Sequence, residues 1–213
     1  MTLDSFFPYI LPEVPGCPDP TLRLQTALAA IEFCRETKAW SAIQDPIPLV
    51  DNQKEYVIPV VTDSYVHDVR DVWLGNRRLT PRSMRAIQEE MPQWATATSN
   101  EPIYYNQAAT RGSLSVFPTP VNTNGTSIVV RAVYVPTATA ATLPAFLLER
   151  HLNIISAGVK AALMMMPAMP WSNPQMGVYY KSIFDDGVIK VRIEEAHDRV
   201  SGSVAVVPRR FGF

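Results

Sequence analysis

The chain is short of the residues that build catalytic centres. Its 213 residues include two cysteines, three histidines and nine glycines. The histidines (His67, His151 and His197) lack the HExxH, HxE or HxH spacing of a metal site. No GxSxG nucleophile motif and no GxGxxG or GxxxxGK phosphate-binding loop occurs. These absences argue against a nucleophilic hydrolase, a metalloenzyme and a nucleotide-dependent enzyme, so we predict a protein with no catalytic, cofactor or metal site.

Charge is also scarce. Charged residues make up 18% of the chain and hydrophobic residues 47%, with a formal net charge of −1. That net charge gives no field strong enough to recruit nucleic acid or an anionic membrane. No apolar run reaches the roughly 20 residues that a membrane span needs. A low charge content leaves apolar surface for a partner, so we expect the chain to form an oligomer.

The remaining ionisable residues have simple structural interpretations. Cys17 and Cys34 do not form a CxxC pair and are expected to be free thiols in a reducing compartment. His151 is expected to be a buried or interface histidine. Asp185-Asp186 and Glu194-Glu195 are adjacent on a predicted helix, where neighbours diverge by about 100°. We therefore interpret both acidic pairs as solvated faces.

The N-terminal quarter predicts an arm and a helix. Residues 1–19 are rich in proline and are predicted to be extended, with Phe6, Phe7 and Tyr9 as apolar anchors. Asp19 and Pro20 are a favourable N-cap and first residue for a helix over 20–39. The expected core-facing stripe of that helix is Leu24, Leu28 and Ile31, widened by Leu22 and Phe33.

The middle of the chain predicts strands, because its apolar residues recur with a period of two. Residues 49–50 and 56–59 are predicted to form a strand pair around a polar turn, and Asn124-Gly125 is predicted to supply a hairpin turn. A short helix is predicted at 82–90. The other predicted strands are 66–74, 77–79, 101–106, 113–118 and 128–135.

Helices return near the C-terminus. One is predicted from a Thr142 cap, with Pro144 in its first turn, to Met166. Another begins at Asn173-Pro174 and runs to about His197. The methionine-rich segment 163–169 between them is interpreted either as core packing or as a flexible helix–helix interface between subunits.

Together these elements predict an α+β fold. We expect an antiparallel helical bundle, made of the N-terminal helix and the two C-terminal helices, with an inserted antiparallel β-sheet domain and an extended C-terminal tail. The predicted divisions are an arm at 1–19, a helical bundle at 20–45 and 142–197, a β-rich insertion at 46–141, and an extension at 198–213.

The C-terminal extension combines basic and apolar residues. From Arg199 onward it has no acidic residue. A short basic and aromatic strand suits addition to a sheet edge or a groove of a partner protein. A disordered terminus is the alternative, although the apolar content exceeds what a solvating tail needs. The residues that favour a partner are Val204, Val206, Val207, Arg209, Arg210, Phe211 and Phe213.

Several short motifs occur along the chain in a characteristic order. Residues 53–59 (QKEYVIP) are similar to a Q-x-E-Y-x-L-P strand, and residues 75–81, Trp94, the strand 102–105 and the strand 114–120 follow. The helical pair with its proline-broken turn comes after them. In this order the chain, over about 20–197, resembles the head-to-tail adaptor, or neck, proteins of short-tailed phages, the tail tubular protein A group.

The resemblance implies a structural virion protein of the phage neck, assembled in the host cytoplasm. It implies a homo-oligomeric ring, usually a dodecamer, that joins the portal protein to the tail nozzle or a tail fibre protein, with DNA passing through the lumen without sequence-specific binding. By analogy the extension 198–213 would bind the portal. Arg77, Arg78 and Arg82 would face the tail.

Other functions are also compatible with the residues. Trp73, Trp94, Tyr104 and Tyr105 could form a stacking platform for sugars, as in a virion carbohydrate-binding module or a small hydrolase. Another neck component, such as a stopper or a tail terminator, is a milder alternative.

Overall fold

The computed structural model describes residues 1–107 and 112–197. Its helices are a 3-10 helix at Leu3–Tyr9, α1 at Asp19–Thr37, α2 at Met84–Glu90, α3 at Ala145–Met164 and α4 at Pro174–Ala196. Its strands are β1 Ser41–Ile43, β2 Ile47–Pro48, β3 Glu55–Val57, β4 Ser64–Leu74, β5 Arg77–Arg78, β6 Thr80–Pro81, β7 Thr98–Ser99, β8 Tyr104–Gln107, β9 Ser113–Phe117, β10 Thr119–Pro120 and β11 Ser127–Pro136. The predicted α+β class is confirmed.

The described strands form three sheets. The largest has the order β1-β11-β4-β5, with β2 also paired to β11. Its longest pairing is antiparallel, from Ile128 opposite Leu74 to Pro136 opposite Ser64. A second sheet has the order β3-β9-β8-β6, and β7 pairs with β10. The other described pairings are antiparallel, as predicted for the inserted sheet domain, whereas the short pairings β6–β8 and β7–β10 are parallel.

The local turns are where the sequence predicts them, but the strands that flank them pair elsewhere. Asn124 and Gly125 have positive φ values of 42° and 76°, yet β10 and β11 lie in different sheets. Likewise β2 pairs with β11 and β3 pairs with β9. Both predicted hairpins are therefore wrong. Turn chemistry fixes a chain reversal, whereas strand partners depend on which sheet buries the apolar face.

The N-terminal arm is not extended. Residues Leu3–Tyr9 form a 3-10 helix that includes Pro8, since the fixed φ of proline is compatible with that conformation. Phe6 and Phe7 are buried as expected, whereas Tyr9 is exposed. Hydrogen bonds from side chains of α3 and α4 hold Glu13, in the segment that follows this helix. Lys160 Nζ lies 2.5 Å from Glu13 Oε1, and the Tyr180 hydroxyl donates to the same carboxylate.

Helix α1 buries Leu22 and Phe33 as predicted, but not the centre of the predicted stripe. Leu24 and Leu28 are 48% and 42% exposed, and Ile31 is half-buried. The buried face includes Leu22, Ala29, Ala30, Phe33 and Cys34. Two threonines complete this face: Thr26 Oγ1 donates to the Leu22 carbonyl at 2.8 Å, and Thr37 Oγ1 to the Phe33 carbonyl at 2.7 Å. These bonds satisfy both hydroxyls, so a polar residue can lie in the core without an unpaired donor.

Glycines let α3 and α4 approach closely. A Cβ on Gly158 would lie 2.7 Å from Phe184 Cδ2, and one on Gly187 would lie 2.8 Å from Ile154 Cγ1. Positions 154 and 158 of α3 therefore face 187 and 184 of α4, which makes this pair antiparallel. Gly187, whose main effect in the sequence is to weaken the helix, is a packing residue here.

The helix starts are only partly as predicted. Asn173 caps α4 as expected, its side chain accepting from the Met176 N–H at 3.2 Å. Thr142 does not cap α3, which begins at Ala145 after Pro144. Its hydroxyl instead donates to Asp63 Oδ2 at 2.7 Å. Asp63 also accepts from the Ala141 and Thr142 N–H groups, and these bonds hold the pKa of its carboxyl below the ordinary value.

The buried apolar residues form two clusters. One joins the 3-10 helix, α1, α3 and α4 to the end of β11. The other lies between the two larger sheets. Trp40 packs against both, and Tyr134 N–H donates to its carbonyl at 2.8 Å. The segment after α1 is therefore the place where the helical part meets the sheets.

Candidate assembly surface

Helix α1 carries an apolar stripe on the side that faces away from the core. We call Leu24 and Leu28 the α1 stripe. They are four residues apart, one turn of the helix, and point to one face. Phe33 lies roughly half a turn away from them and is fully buried. Leu24 and Leu28 are therefore exposed because α1 packs against the core through its opposite face.

Helix α4 carries a second exposed stripe. Val178, Ile189 and Ile193, the α4 stripe, are 62%, 52% and 54% exposed. Intervals of eleven and four residues place them within about 60° of one another around the helix. Phe184, Val188 and Val191 occupy the opposite, buried face. Scattered exposed apolar residues are ordinary on protein surfaces, but aligned ones on two helices of one core are typical of a contact surface.

Ion pairs close the seam between these two helices. Lys181 Nζ lies 3.1 Å from Glu32 Oε1, and Arg192 Nη2 lies 2.5 Å from Glu36 Oε2. The seam is thus polar and already satisfied within the chain. On α1, Glu32 is four residues from Leu28, and on α4 Lys181 and Arg192 are three residues from Val178 and Ile189, so the ion pairs lie beside both stripes.

The methionine-rich segment is partly buried, which agrees with the core-packing interpretation for Met164 alone among its methionines. Met164 is buried in the helical cluster. Met165 and Met169 are 44% and 45% exposed. Part of the segment is therefore core, and part of it extends the exposed apolar surface at the turn between α3 and α4.

The three arginines predicted to face the tail all have partners within the chain. Arg77 donates to the Pro102 carbonyl and lies 3.5 Å from Glu101. Arg78 pairs with the largely buried Asp71. Arg82 Nη2 lies 3.1 Å from Glu90 Oε1, and its guanidinium lies 5.7 Å from the centre of the Tyr104 ring. These side chains are exposed but not free, so an acidic partner would compete with intramolecular contacts.

The aromatic residues considered for sugar stacking do not form an open platform. Tyr105 is buried, and its hydroxyl donates to the Arg70 carbonyl at 3.2 Å. Lys54 Nζ lies 5.5 Å from the Trp94 ring centre, and Arg82 covers Tyr104. The carbohydrate-binding interpretation therefore gains no support from this geometry.

One acidic residue was placed wrongly from the sequence. Asp185, Asp186 and Glu194 are exposed, as a solvated face requires. Glu195 is 5% exposed, because α4 turns it toward the sheet. His151 is buried as expected; it lies 4.8 Å from Phe33 between ring centres, at a residue of α3 with non-helical backbone angles.

The residues predicted to bind the portal lie outside the described residues. They are Val204, Val206, Val207, Arg209, Arg210, Phe211 and Phe213. Within residues 1–107 and 112–197, no group of three or more His, Cys, Asp or Glu side chains is placed to hold a metal ion. None of the described helices combines the length and the apolar character needed to cross a bilayer.

The two stripes were not predicted from the sequence. The low charge content indicated apolar surface for a partner, yet Leu24 and Leu28 were assigned to the core. In α4, the alternation of buried and exposed apolar residues around the helix is the signal that reveals the second stripe. Val178, Ile189 and Ile193 lie off the face traced by Phe184 and Val188.

Among the described residues, the structure has two exposed apolar stripes and no group of side chains placed to hold a metal ion. The family model of the SU10 adaptor proteins matches residues 5–208, and the chain therefore belongs to that family. It is a phage structural adaptor protein and a component of the virion, as the motif order implied. No curated protein matches the chain.

Proposed function

We propose that this chain is a ring-forming head-to-tail adaptor of the phage neck. It joins the portal to the tail nozzle, and DNA passes through its lumen without sequence-specific binding. The ring is proposed to be dodecameric and to assemble in the host cytoplasm. Membership of the SU10 adaptor family supports contact with portal and tail proteins.

The proposal of a ring is supported by two different apolar stripes on one helical core. A two-fold dimer needs one self-complementary patch, whereas a ring needs two different patches that meet head to tail. The α1 stripe and the α4 stripe belong to different helices and are separated by the ion pairs of the seam. We assign them as the two halves of the subunit–subunit contact.

The domain division is part of this proposal. The helical unit at 20–45 and 142–197 would form the ring, and the β-rich unit at 46–141 would project from it. Two separate hydrophobic clusters support that division. The extension 198–213 would bind the portal. Arg77, Arg78 and Arg82 remain the proposed tail-facing residues, and their exposed carboxylate partners Glu90 and Glu101 would be part of the same surface.

The first experiment separates the ring from the portal joint. The purified chain is mixed with the portal ring of the same particle and imaged by negative stain, with and without residues 198–213. A collar that requires the extension supports the adaptor and locates its joint. A collar that forms equally well without it removes the portal-binding role of the extension, and no collar with either chain contradicts the adaptor itself.

The second experiment tests the head-to-tail contact. Leu24→Ser/Leu28→Ser and Ile189→Ser/Ile193→Ser are compared with Val57→Ser, a control at a strand residue that is 77% exposed. Either stripe variant is expected to lose the ring while the control keeps it. A mixture of the two stripe variants retains one intact contact and should stop at a heterodimer. Rings formed by either variant alone would contradict the assignment.

A further inference from the structure

A cleft of about 420 Å³ lies where the helices meet the five-stranded sheet. Three arginines from three elements line it: Arg70 of β4, Arg131 of β11 and Arg150 of α3. Trp40 and Phe146 supply aromatic walls. The cleft is distinct from the apolar stripes and from the arginines at 77–82, and neither the ring nor the portal joint makes use of it.

The described lining of this cleft has three arginines and one carboxylate. Arg131 Nη1 lies 3.6 Å from Asp71 Oδ2, but Asp71 also pairs with Arg78. Glu195 is the one lining carboxylate, and Arg70 Nη2 also lies 3.4 Å from the Glu195 carbonyl oxygen. Among the described residues, Arg150 is exposed and has no hydrogen-bond or ion-pair partner. Three guanidinium groups around one cleft repel one another and favour an added anion.

The shape and the charges of the cleft favour a carboxylate over a nucleic acid. An arginine fork matches a carboxylate with two parallel hydrogen bonds. A volume of about 420 Å³ accommodates a few side chains rather than a nucleic-acid backbone. The Trp40 and Phe146 walls suit an apolar residue beside the acid.

We infer that the Arg70–Arg131–Arg150 cleft binds an acidic side chain, flanked by an apolar residue, that a partner protein presents. Arg150 is the primary contact because it is exposed and has no ion-pair partner within the part of the chain that the structure describes. Arg131 and Arg70 line the opposite side, where they also hold Asp71 and the end of α4. Glu195, which lines the cleft, lies near the C-terminal end of α4.

The test measures binding to the full-length chain by calorimetry. The probe is the peptide acetyl-Gly-Glu-Phe-Gly-amide, compared with its Gln counterpart, with inorganic phosphate and with a 12-base-pair DNA duplex. We expect saturable binding of the Glu peptide and a loss of about tenfold or more in affinity with Arg150→Gln, the range of one charge-assisted hydrogen bond. Arg85→Gln is the matched control, because Arg85 is an exposed arginine of α2 whose partner is Glu89 at 2.9 Å.

The outcomes support or contradict acid binding at the cleft whether or not the chain forms a ring. Glu-peptide binding that weakens in Arg150→Gln and persists in Arg85→Gln supports it. It is overturned by equal binding of the Gln peptide, by binding of phosphate or DNA in place of the Glu peptide, or by no binding at millimolar peptide. Arg150 is exposed, so its variant should keep the unfolding midpoint of the wild type, and collar formation on the portal is measured in parallel.

Discussion

The close contact between α3 and α4 decides whether a Gly→Ala substitution stabilises or destabilises the chain. Replacing glycine by alanine in the middle of a helix normally adds about 1 kcal/mol of stability. At Gly158, however, the new methyl group would lie 2.7 Å, 2.9 Å and 3.2 Å from three carbons of the Phe184 ring. That ring is 2% exposed and has nowhere to move. Overpacking of this kind costs about 1–3 kcal/mol, so we expect Gly158→Ala to be net destabilising.

With the other two glycines of the described helices, the three Gly→Ala substitutions can be ranked by their expected effect on the free energy of unfolding. At Gly187 the methyl group meets Ile154, which is half-buried and can move in part. At Gly177 it meets Met165 Cγ at 2.8 Å, on a flexible side chain that is 44% exposed. We therefore expect the free energy of unfolding to fall most for Gly158→Ala, less for Gly187→Ala, and least, or to rise, for Gly177→Ala.

The assay is urea unfolding of the free chain followed by circular dichroism, at one protomer concentration because assembly would shift the midpoint. Ser182→Ala, at an exposed position of α4, reports the gain in helix propensity together with the loss of one exposed hydrogen bond, which the Ser182 hydroxyl donates to the Tyr179 carbonyl at 2.7 Å. A net loss of about 1 kcal/mol corresponds to about 2–4 °C in melting temperature for a chain of this size. If Gly158→Ala were as stable as Ser182→Ala, the close helix contact would be refuted.

Two further predictions concern ionisable groups. Hydrogen bonds from Thr142 and Ala141 lower the pKa of Asp63; its contribution to stability is therefore present above its ordinary pKa and lost as pH falls through the lowered value. Asp63→Asn should flatten that part of an acid-unfolding curve, and an unchanged curve would contradict the role. Burial raises the pKa of Cys34 to about 12, so iodoacetamide at pH 8 should label it only after unfolding; rapid labelling of the native chain, read by mass spectrometry, would disprove its burial.

Short-range signals in the sequence were enough to locate the elements. Asn173 before Pro174 is a cap followed by a residue that suits the first helical turn, and α4 begins there. Asn124 and Gly125 accept positive φ, and a turn lies there. Such signals need only the chemistry of neighbouring residues. That is why the mixed α+β class and most of the element positions followed from the sequence.

Long-range choices did not follow from the sequence. β2 and β3 are close in sequence but pair with β11 and β9, because partners depend on which sheets bury their apolar faces. Glu195 was assigned to a solvated face together with its acidic neighbour Glu194, but only Glu194 is exposed. In both cases the deciding contact is with a residue far along the chain, which no local pattern reports.

The buried face of α1 links the fold to the proposed ring and can be tested on its own. If the buried face is the one with Phe33, Phe33→Ala removes a fully buried ring and should cost about 3–5 kcal/mol. Leu28→Ser changes a residue that is 42% exposed and should alter the stability of the free chain by about 0.5 kcal/mol or less. The same Leu28→Ser substitution, combined with Leu24→Ser, should abolish ring formation.

A leucine that contributes little to the stability of the free chain, yet is required for assembly, is a contact residue rather than a core residue. Urea unfolding of the free chain and negative-stain imaging on the portal measure the two properties separately. A large loss of free-chain stability in Leu28→Ser would place Leu28 in the core, as the sequence first suggested. It would also remove the α1 stripe from the proposed subunit contact.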